Sequence, residues 1–123
     1  MRTNSTILLI EDKKNLSDTL QALLEMHQFT VLLATNGEDG IRQARLSKPD
    51  LVISDIYMPV MNGYELLEAF KADSTLKNIP VLMLTAKTGI DEINRAMKKG
   101  AAGYVTKPFL FKNLHATICK LLV

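Results

Sequence analysis

The chain has 123 residues, 47% of them hydrophobic, so it is long enough to form one domain with a full apolar core. Its 15 basic and 13 acidic residues leave a formal charge of +2 and are scattered along the chain, which argues against nucleic-acid binding. A single cysteine excludes an internal disulfide, and the N-terminal apolar run is too short for a signal or membrane span, so we expect one cytoplasmic domain over residues 1–123 without membrane contact.

Short apolar runs alternate with amphipathic segments along the whole chain. The runs are rich in β-branched residues or leucine, and each is too short to form a helix. They predict strands at residues 6–10, 30–34, 51–55, 80–86 and 104–106. The segments between them place apolar residues at helical spacing, which predicts helices over residues 14–27, 38–47, 63–72, 90–97 and 110–122.

The strict alternation of strand and helix determines the fold class. Each strand is joined to the next by a crossover helix, and such connections are right-handed and produce parallel strands. The sequence therefore predicts an α/β fold, a doubly wound five-stranded parallel sheet with helices on both faces.

Chemically reactive side chains end or directly follow four of the predicted strands. They are Glu11 and Asp12, Asp55, Thr85, and Lys107. Parallel strands end at one edge of the sheet, where ligands bind in open α/β folds, so we expect these side chains to meet there. An aspartate that ends a strand is also typical of a simple turn or helix cap, and Asp55 alone leaves that alternative open.

The predicted cluster has the composition of a metal-assisted phosphoryl site. Clustered carboxylates repel one another unless a cation neutralises them, and Mg²⁺ prefers one or two carboxylates with water and phosphoryl oxygens. Lys107 and Thr85 suit the oxygens of a phosphoryl group. Asp55 is then the candidate nucleophile, because a carboxylate can attack phosphorus and form an acyl phosphate.

At this point the sequence resembles the receiver domains of two-component response regulators, similar to chemotaxis receivers. The likeness covers essentially the whole chain. Its motifs are Glu11-Asp12, Asp55 with Met58-Pro59 and Gly63, Thr85-Ala86, and Lys107-Pro108-Phe109. The resemblance implies the flavodoxin-like strand order 2-1-3-4-5. It also implies a cis Lys107-Pro108 bond.

The resemblance further implies a role for each matching residue. Asp55 would be the phosphoacceptor, and Glu11, Asp12, Asp55 and the backbone carbonyl of Tyr57 would bind Mg²⁺ or Mn²⁺, with Glu11 acting mainly through metal-bound water. Thr85, Lys107 and the backbone of Ala86 would contact the phosphoryl group. The implied function is a signalling switch that is only marginally an enzyme, since it assists its own phosphorylation and dephosphorylation.

Partners and regulation also follow from the resemblance. The phosphoryl group would come from a histidine kinase or a histidine phosphotransfer protein. Thr85 and Tyr104 would then switch the face made by the fourth helix, fifth strand and fifth helix, presenting Ile90, Phe111 and Lys112 to an output partner. A phosphorylation-linked homodimer is left open.

Two long side chains are candidates for setting how long the phosphoryl group persists. Tyr57 and Lys87 follow Asp55 and Thr85 by two residues each, so they can flank the path of an attacking water. The alternative is that Tyr57 points into solvent and Lys87 is an ordinary surface lysine. The chain also departs from many members of the family at Gly40, where alanine is common, and at Phe111, which we expect to be exposed.

Other functions are less compatible with the sequence. A docking module without chemistry would not need every reactive residue, and a flavin carrier would need a hydroxyl- and glycine-rich phosphate loop where Glu11 and Asp12 stand. An aspartyl phosphatase usually has a second acid two residues after the nucleophile, where this chain has Tyr57. His27, His115 and Cys119 lack a clustered motif, so we expect structural roles for them. The chain ends at Val123, which leaves a stand-alone receiver and part of a longer regulator equally open.

Overall fold

A computed structural model describes residues 4–86 and 90–122 of the chain. Five strands alternate with five helices in it. The strands are β1 (Thr6–Ile10), β2 (Thr30–Ala34), β3 (Leu51–Asp55), β4 (Val81–Ala86) and β5 (Gly103–Lys107). The helices are α1 (Lys14–Met26), α2 (Gly37–Ser47), α3 (Gly63–Ala72), α4 (Ile90–Lys98) and α5 (Phe111–Leu121).

All five strands are parallel and form one sheet in the order β2-β1-β3-β4-β5. This confirms the predicted fold class and strand order. The central strands β1 and β3 are buried along nearly their whole length, as expected for a sheet covered on both faces. None of the described helices is long and apolar enough to cross a membrane.

Two apolar clusters cover the two faces of the sheet. Side chains of α1 and α5 pack on one face, against inward residues of all five strands such as Leu9 and Ile53. Side chains of α2, α3 and α4 pack on the other face, against residues such as Ile10 and Met83. Both faces of the sheet are therefore covered, and a site formed by the strand ends lies in the loops at the carboxyl edge.

The packing of α2 against β1 explains why position 40 is glycine. This residue lies in α2 directly above Ile10, and a Cβ added there would lie 2.4 Å from Cδ1 of Ile10. A full isoleucine on β1 therefore occupies the space that an alanine would need. The departure from the family pattern is local to this helix–sheet contact.

The start of α3 is capped by side chains on both sides. The Asn62 side chain accepts a hydrogen bond from the Glu65 backbone N–H, and the Glu65 side chain accepts one from the Asn62 backbone N–H. Directly after the N-cap residue Asn62, the Gly63 N–H donates to the carbonyl of Ile56 at 2.7 Å. The loop after β3 is thus closed at its far end by the first turn of the following helix.

The end of α3 is held by Asp73, whose carboxylate accepts hydrogen bonds from the backbone and hydroxyl of Thr75 and from Arg45. These bonds, with the Thr75 hydroxyl contributing most, lower the pKa of Asp73 to about 2. The carboxylate therefore stabilises this corner in its ionised form.

Candidate phosphoryl-transfer site

Asp55 ends the buried strand β3 and is only 3% exposed. Both of its carboxylate oxygens are held. Lys107 Nζ lies 2.7 Å from Oδ2, and the backbone N–H of Tyr57 donates to Oδ1 at 3.3 Å. A carboxylate fixed in this way has few rotamers available, so one orientation of the group is preorganised.

Lys107 reaches Asp55 from two strands away. It ends β5, pairs in register with Ala86 of β4, and precedes a cis bond to Pro108, as the resemblance implied. The side chain spans β4, and its Nζ also lies 3.9 Å from Oε1 of Glu11. One ammonium thus lies between two buried carboxylates, which partly neutralises them.

Glu11 follows β1 and is 1% exposed. Its Oε2 accepts a hydrogen bond from the backbone N–H of Lys13 at 3.1 Å, whereas its Oε1 has no hydrogen-bond partner. Burial raises the pKa of Glu11 above its usual range, and the charge of Asp55 adds to this rise. The Lys13 N–H and the Lys107 ammonium act in the opposite direction. A buried oxygen without a partner is costly, and binding a cation or a cation-bound water would satisfy it.

Asp12 is exposed at the rim beside Glu11. Among residues 4–86 and 90–122, no three His, Cys, Asp or Glu side chains are arranged to hold an ion between them. Mg²⁺ does not require such a set, since it binds through one or two carboxylates and keeps several waters. The hard oxygen donors of Asp12, Asp55 and the unsatisfied Glu11 oxygen fit this ion, and its binding here stays a prediction.

Thr85 and Ala86 lie at the same edge, at the end of β4. Thr85 is fully buried and pairs with Thr106, next to the Lys107 register position. The structure therefore brings Glu11, Asp55 and Lys107 into direct contact distance and places Thr85 and Asp12 beside them. Lys87 lies outside the described residues, so its proposed role is a prediction from sequence alone.

Two tyrosines near the site are partly open to solvent. The Tyr57 residue is 49% exposed, and Tyr104 in β5 is 42% exposed. Inward rotation of Tyr104 stays a prediction. Among the residues expected on the output face, Ile90 is 65% exposed and Lys112 is also exposed.

The expectation that Phe111 is exposed was wrong. Its ring is half-buried, 4.9 Å from the ring of His27 and 5.9 Å from that of His115, and it packs against the apolar cluster of α1 and α5. The ring is covered because the end of α1 lies over the start of α5. His27 itself is held through its Nδ1, which lies 2.9 Å from the Leu23 carbonyl oxygen.

Sequence reasoning did not single out Ser54. This residue is fully buried in β3, and its hydroxyl donates to the backbone carbonyl of Asp55 at 2.9 Å. The signal was present, because Ser54 is the only polar residue between Leu51 and Asp55 in a strand that otherwise reads as apolar.

Comparison with known proteins agrees with this geometry. Residues 7–119 match the family model described as the response regulator receiver domain. The chain belongs to the response regulator receiver family and is a receiver domain of two-component signalling, a signalling domain and not a conventional enzyme.

Individual relatives share the whole domain. The chain is 38% identical over 112 residues to protein PilH of Pseudomonas aeruginosa, covering 91% of this chain and 93% of PilH. It is 34% identical over 116 residues to hybrid signal transduction histidine kinase D of Dictyostelium discoideum, covering 94% of this chain but only 7% of that kinase. A solved structure of the chemotaxis response regulator CheY4 of Vibrio cholerae superposes with a TM-score of 0.91 at 30% identity, covering 98% of this chain and all of that one.

Proposed function

We propose that the chain works as one receiver unit in which Asp55 accepts a phosphoryl group from a phosphohistidine. The observation that carries this proposal is the buried Asp55 carboxylate at the edge of the sheet, with Lys107 Nζ 2.7 Å from Oδ2. The donor would be a histidine kinase or a histidine phosphotransfer protein. We place the receiver, with its donor, in the cytoplasm. Similarity to receivers attached to a histidine kinase and to a free-standing one is compatible with either donor.

The chemistry is an in-line displacement at phosphorus. A bond forms between an Asp55 carboxylate oxygen and phosphorus while the phosphorus–nitrogen bond to the donor histidine breaks, and the imidazole nitrogen keeps the electron pair. Lys107 then pairs with the phosphoryl oxygens, and the Thr85 hydroxyl and the Ala86 N–H donate hydrogen bonds to them. Mg²⁺ or Mn²⁺, held by Glu11, Asp12, Asp55 and the Tyr57 carbonyl, would supply further charge neutralisation. The receiver thus contributes position and charge, and the donor contributes the reactive phosphorus.

Signalling requires that the new phosphoryl group changes a distant surface. Thr85 moves toward it, Tyr104 turns inward, and the face formed by α4, β5 and α5 repacks as a two-state element. The exposed Ile90 and Lys112 are candidates for contact with an output partner on that face, or with a second copy of the chain.

The test is intact mass measured after incubation with acetyl phosphate and Mg²⁺. Wild type should gain one phosphoryl group, and excess chelator should suppress the gain. Asp55→Asn should gain none. Asp18→Asn, which changes an exposed carboxylate on α1, should react like wild type. A phosphoryl mass on Asp55→Asn, or a wild-type gain that the chelator does not affect, contradicts the assignment.

A further inference from the structure

A hydroxyl group lies in the apolar interior next to the acceptor strand's end. Ser54 is fully buried, and its register partners are Ile10 of β1 and Met83 of β4, both in the apolar cluster on the α2–α4 side of the sheet. A buried hydroxyl costs free energy unless it is hydrogen-bonded, and an alanine would pack there without that cost. The hydrogen bonds of the hydroxyl should therefore explain why serine stands at this buried position.

The hydroxyl joins the end of β3 to the loop that follows. Ser54 Oγ donates to the backbone carbonyl oxygen of Asp55 at 2.9 Å and lies 3.8 Å from Sδ of Met58. The carbonyl is the stronger acceptor, and the thioether is a weak second one. The backbone of the acceptor residue and the side chain at position 58 are thus both anchored to one buried atom.

The geometry of the Asp55 carboxylate depends on that same loop. The Tyr57 backbone N–H, which donates to Oδ1 of Asp55 at 3.3 Å, lies between the two groups that Ser54 contacts. On the far side of the loop, the Gly63 N–H holds the Ile56 carbonyl at 2.7 Å. Movement of the loop backbone by a few tenths of an ångström would lengthen the bond to Oδ1 and release one oxygen of the carboxylate.

We propose that Ser54 is a positioning residue for the acceptor, whose hydroxyl holds the backbone of Asp55 and the following loop so that the Tyr57 N–H fixes the carboxylate. This inference rests on the proposed function of Asp55. Ser54 itself takes no part in bond formation. With acetyl phosphate as donor, the bond between Asp55 and phosphorus forms while the phosphorus–oxygen bond of acetyl phosphate breaks, and acetate leaves with the electron pair.

The experiment compares three variants with wild type. Ser54→Ala removes the hydroxyl, Ser54→Thr keeps it, and Ser17→Ala is the matched control. Ser17 is also buried, and its hydroxyl also donates to a backbone carbonyl, that of Lys14 at 3.1 Å. Two quantities are measured, the second-order rate constant for phosphorylation by acetyl phosphate in saturating Mg²⁺, and hydrogen exchange of the Tyr57 and Ile53 amides in protein without metal.

Removal of the hydroxyl should slow phosphorylation and weaken the exchange protection of the Tyr57 amide, without loosening β3. Ser54→Ala should react about fivefold more slowly, the rate equivalent of one lost hydrogen bond. Its Tyr57 amide should exchange faster while the Ile53 amide, within β3, keeps its protection. Ser54→Thr should retain both properties, and Ser17→Ala should change neither. If the threonine does not fold, Ser54→Cys, with a weak donor of similar size, should fall between serine and alanine.

Two outcomes overturn the proposal. One is wild-type reactivity together with wild-type exchange at Tyr57 in Ser54→Ala. The other is equal loss in the alanine and threonine variants, which would show that side-chain volume matters and the hydroxyl does not. If wild type itself is not phosphorylated on Asp55, the proposed function fails, and the exchange measurement still decides whether Ser54 holds the loop.

Discussion

Replacement of Gly63 by alanine tests whether close backbone approach holds the loop after β3. Gly63 begins α3, and a Cβ at this position would lie 2.4 Å from Cε of Met83, 2.8 Å from Cα of Ile56 and 2.9 Å from the carbonyl oxygen of Asp55. The tip of a methionine can rotate away. The two backbone atoms cannot move without shifting the acceptor strand, so the loop must deform.

The magnitude follows from two opposing terms. Overpacking against a well-packed interior costs about 1–3 kcal/mol, and contact with backbone belongs at the upper end of that range. Replacing glycine by alanine within a helix returns about 0.5–1 kcal/mol. We therefore expect Gly63→Ala to lower the free energy of unfolding by about 2 kcal/mol.

Gly103 is the matched control, because the nearest atom to a Cβ there, Leu82 Cδ1, would be 3.5 Å away, an ordinary contact. Gly103→Ala in β5 should leave the free energy of unfolding unchanged or raise it by up to about 1 kcal/mol. With a slope of about 2 kcal/mol per molar urea, the two variants should differ in denaturation midpoint by about 1 M or more. Phosphorylation by acetyl phosphate should slow only in Gly63→Ala. A Gly63→Ala protein as stable as wild type would refute the reasoning.

Three further predictions concern other parts of the molecule. Gly40→Ala should destabilise by about 1 kcal/mol, and its cost should shrink in combination with Ile10→Val, since the valine lacks the clashing Cδ1. Asp73→Ala should lower the urea midpoint at pH 7, with a difference from wild type that fades as pH falls below about 4 toward 2, because hydrogen bonds led by that of the Thr75 hydroxyl lower the folded pKa of Asp73 to about 2. Tyr57→Asn should shorten the phosphoryl lifetime about tenfold, followed as decay of the phosphorylated mass after donor removal, by opening the path of water.

Each of these has a result that contradicts it. Additive destabilisation by the two core changes would show that Ile10 does not limit position 40. For Asp73, the sign is that of an acid with a lowered pKa, whose contribution is complete above the unfolded pKa of 3.8 and lost as pH falls through the folded value. A midpoint difference that is the same at pH 7 and pH 3 would therefore be inconsistent with an ionised cap. Equal decay in wild type, Tyr57→Asn and Lys87→Ala would show that the lifetime is set elsewhere.

Most of the fold was predictable because the signal was local. Alternation of short apolar runs with amphipathic segments depends on neighbours in sequence, and it identified all ten elements to within about two residues. The fifth strand was extended from residues 104–106 to Gly103–Lys107 by pairing with β4, which sequence periodicity does not report. The meeting of Asp55, Glu11 and Lys107 was also predictable, because parallel strands end at one edge.

Two residues were misjudged, because the role of each depends on contacts that its sequence position does not show. Phe111 begins α5 at helical spacing from Leu114 and Ile118, so it belongs to the apolar stripe of the helix. Its position as the first residue of the helix suggested exposure, and the end of α1 covers it. Ser54 was overlooked because a serine in a strand is ordinary, and its role depends on the distance from its hydroxyl to the next residue's carbonyl.

The two backbone constraints around Asp55 complement each other. On the strand side, the Ser54 hydroxyl contacts the Asp55 carbonyl, and on the helix side Gly63 leaves space for that same oxygen and binds the Ile56 carbonyl. The carbonyl oxygen of Asp55 thus accepts a hydrogen bond from Ser54 on one side, and on the other side it lies where a side chain at position 63 would clash. The reactive side chains of this site could be predicted from the strand ends, whereas the backbone that orients Asp55 depends on contacts of Ser54 and Gly63. Combining Ser54→Ala with Gly63→Ala should therefore change the free energy of unfolding and the phosphorylation rate non-additively, with a coupling that distant pairs do not show.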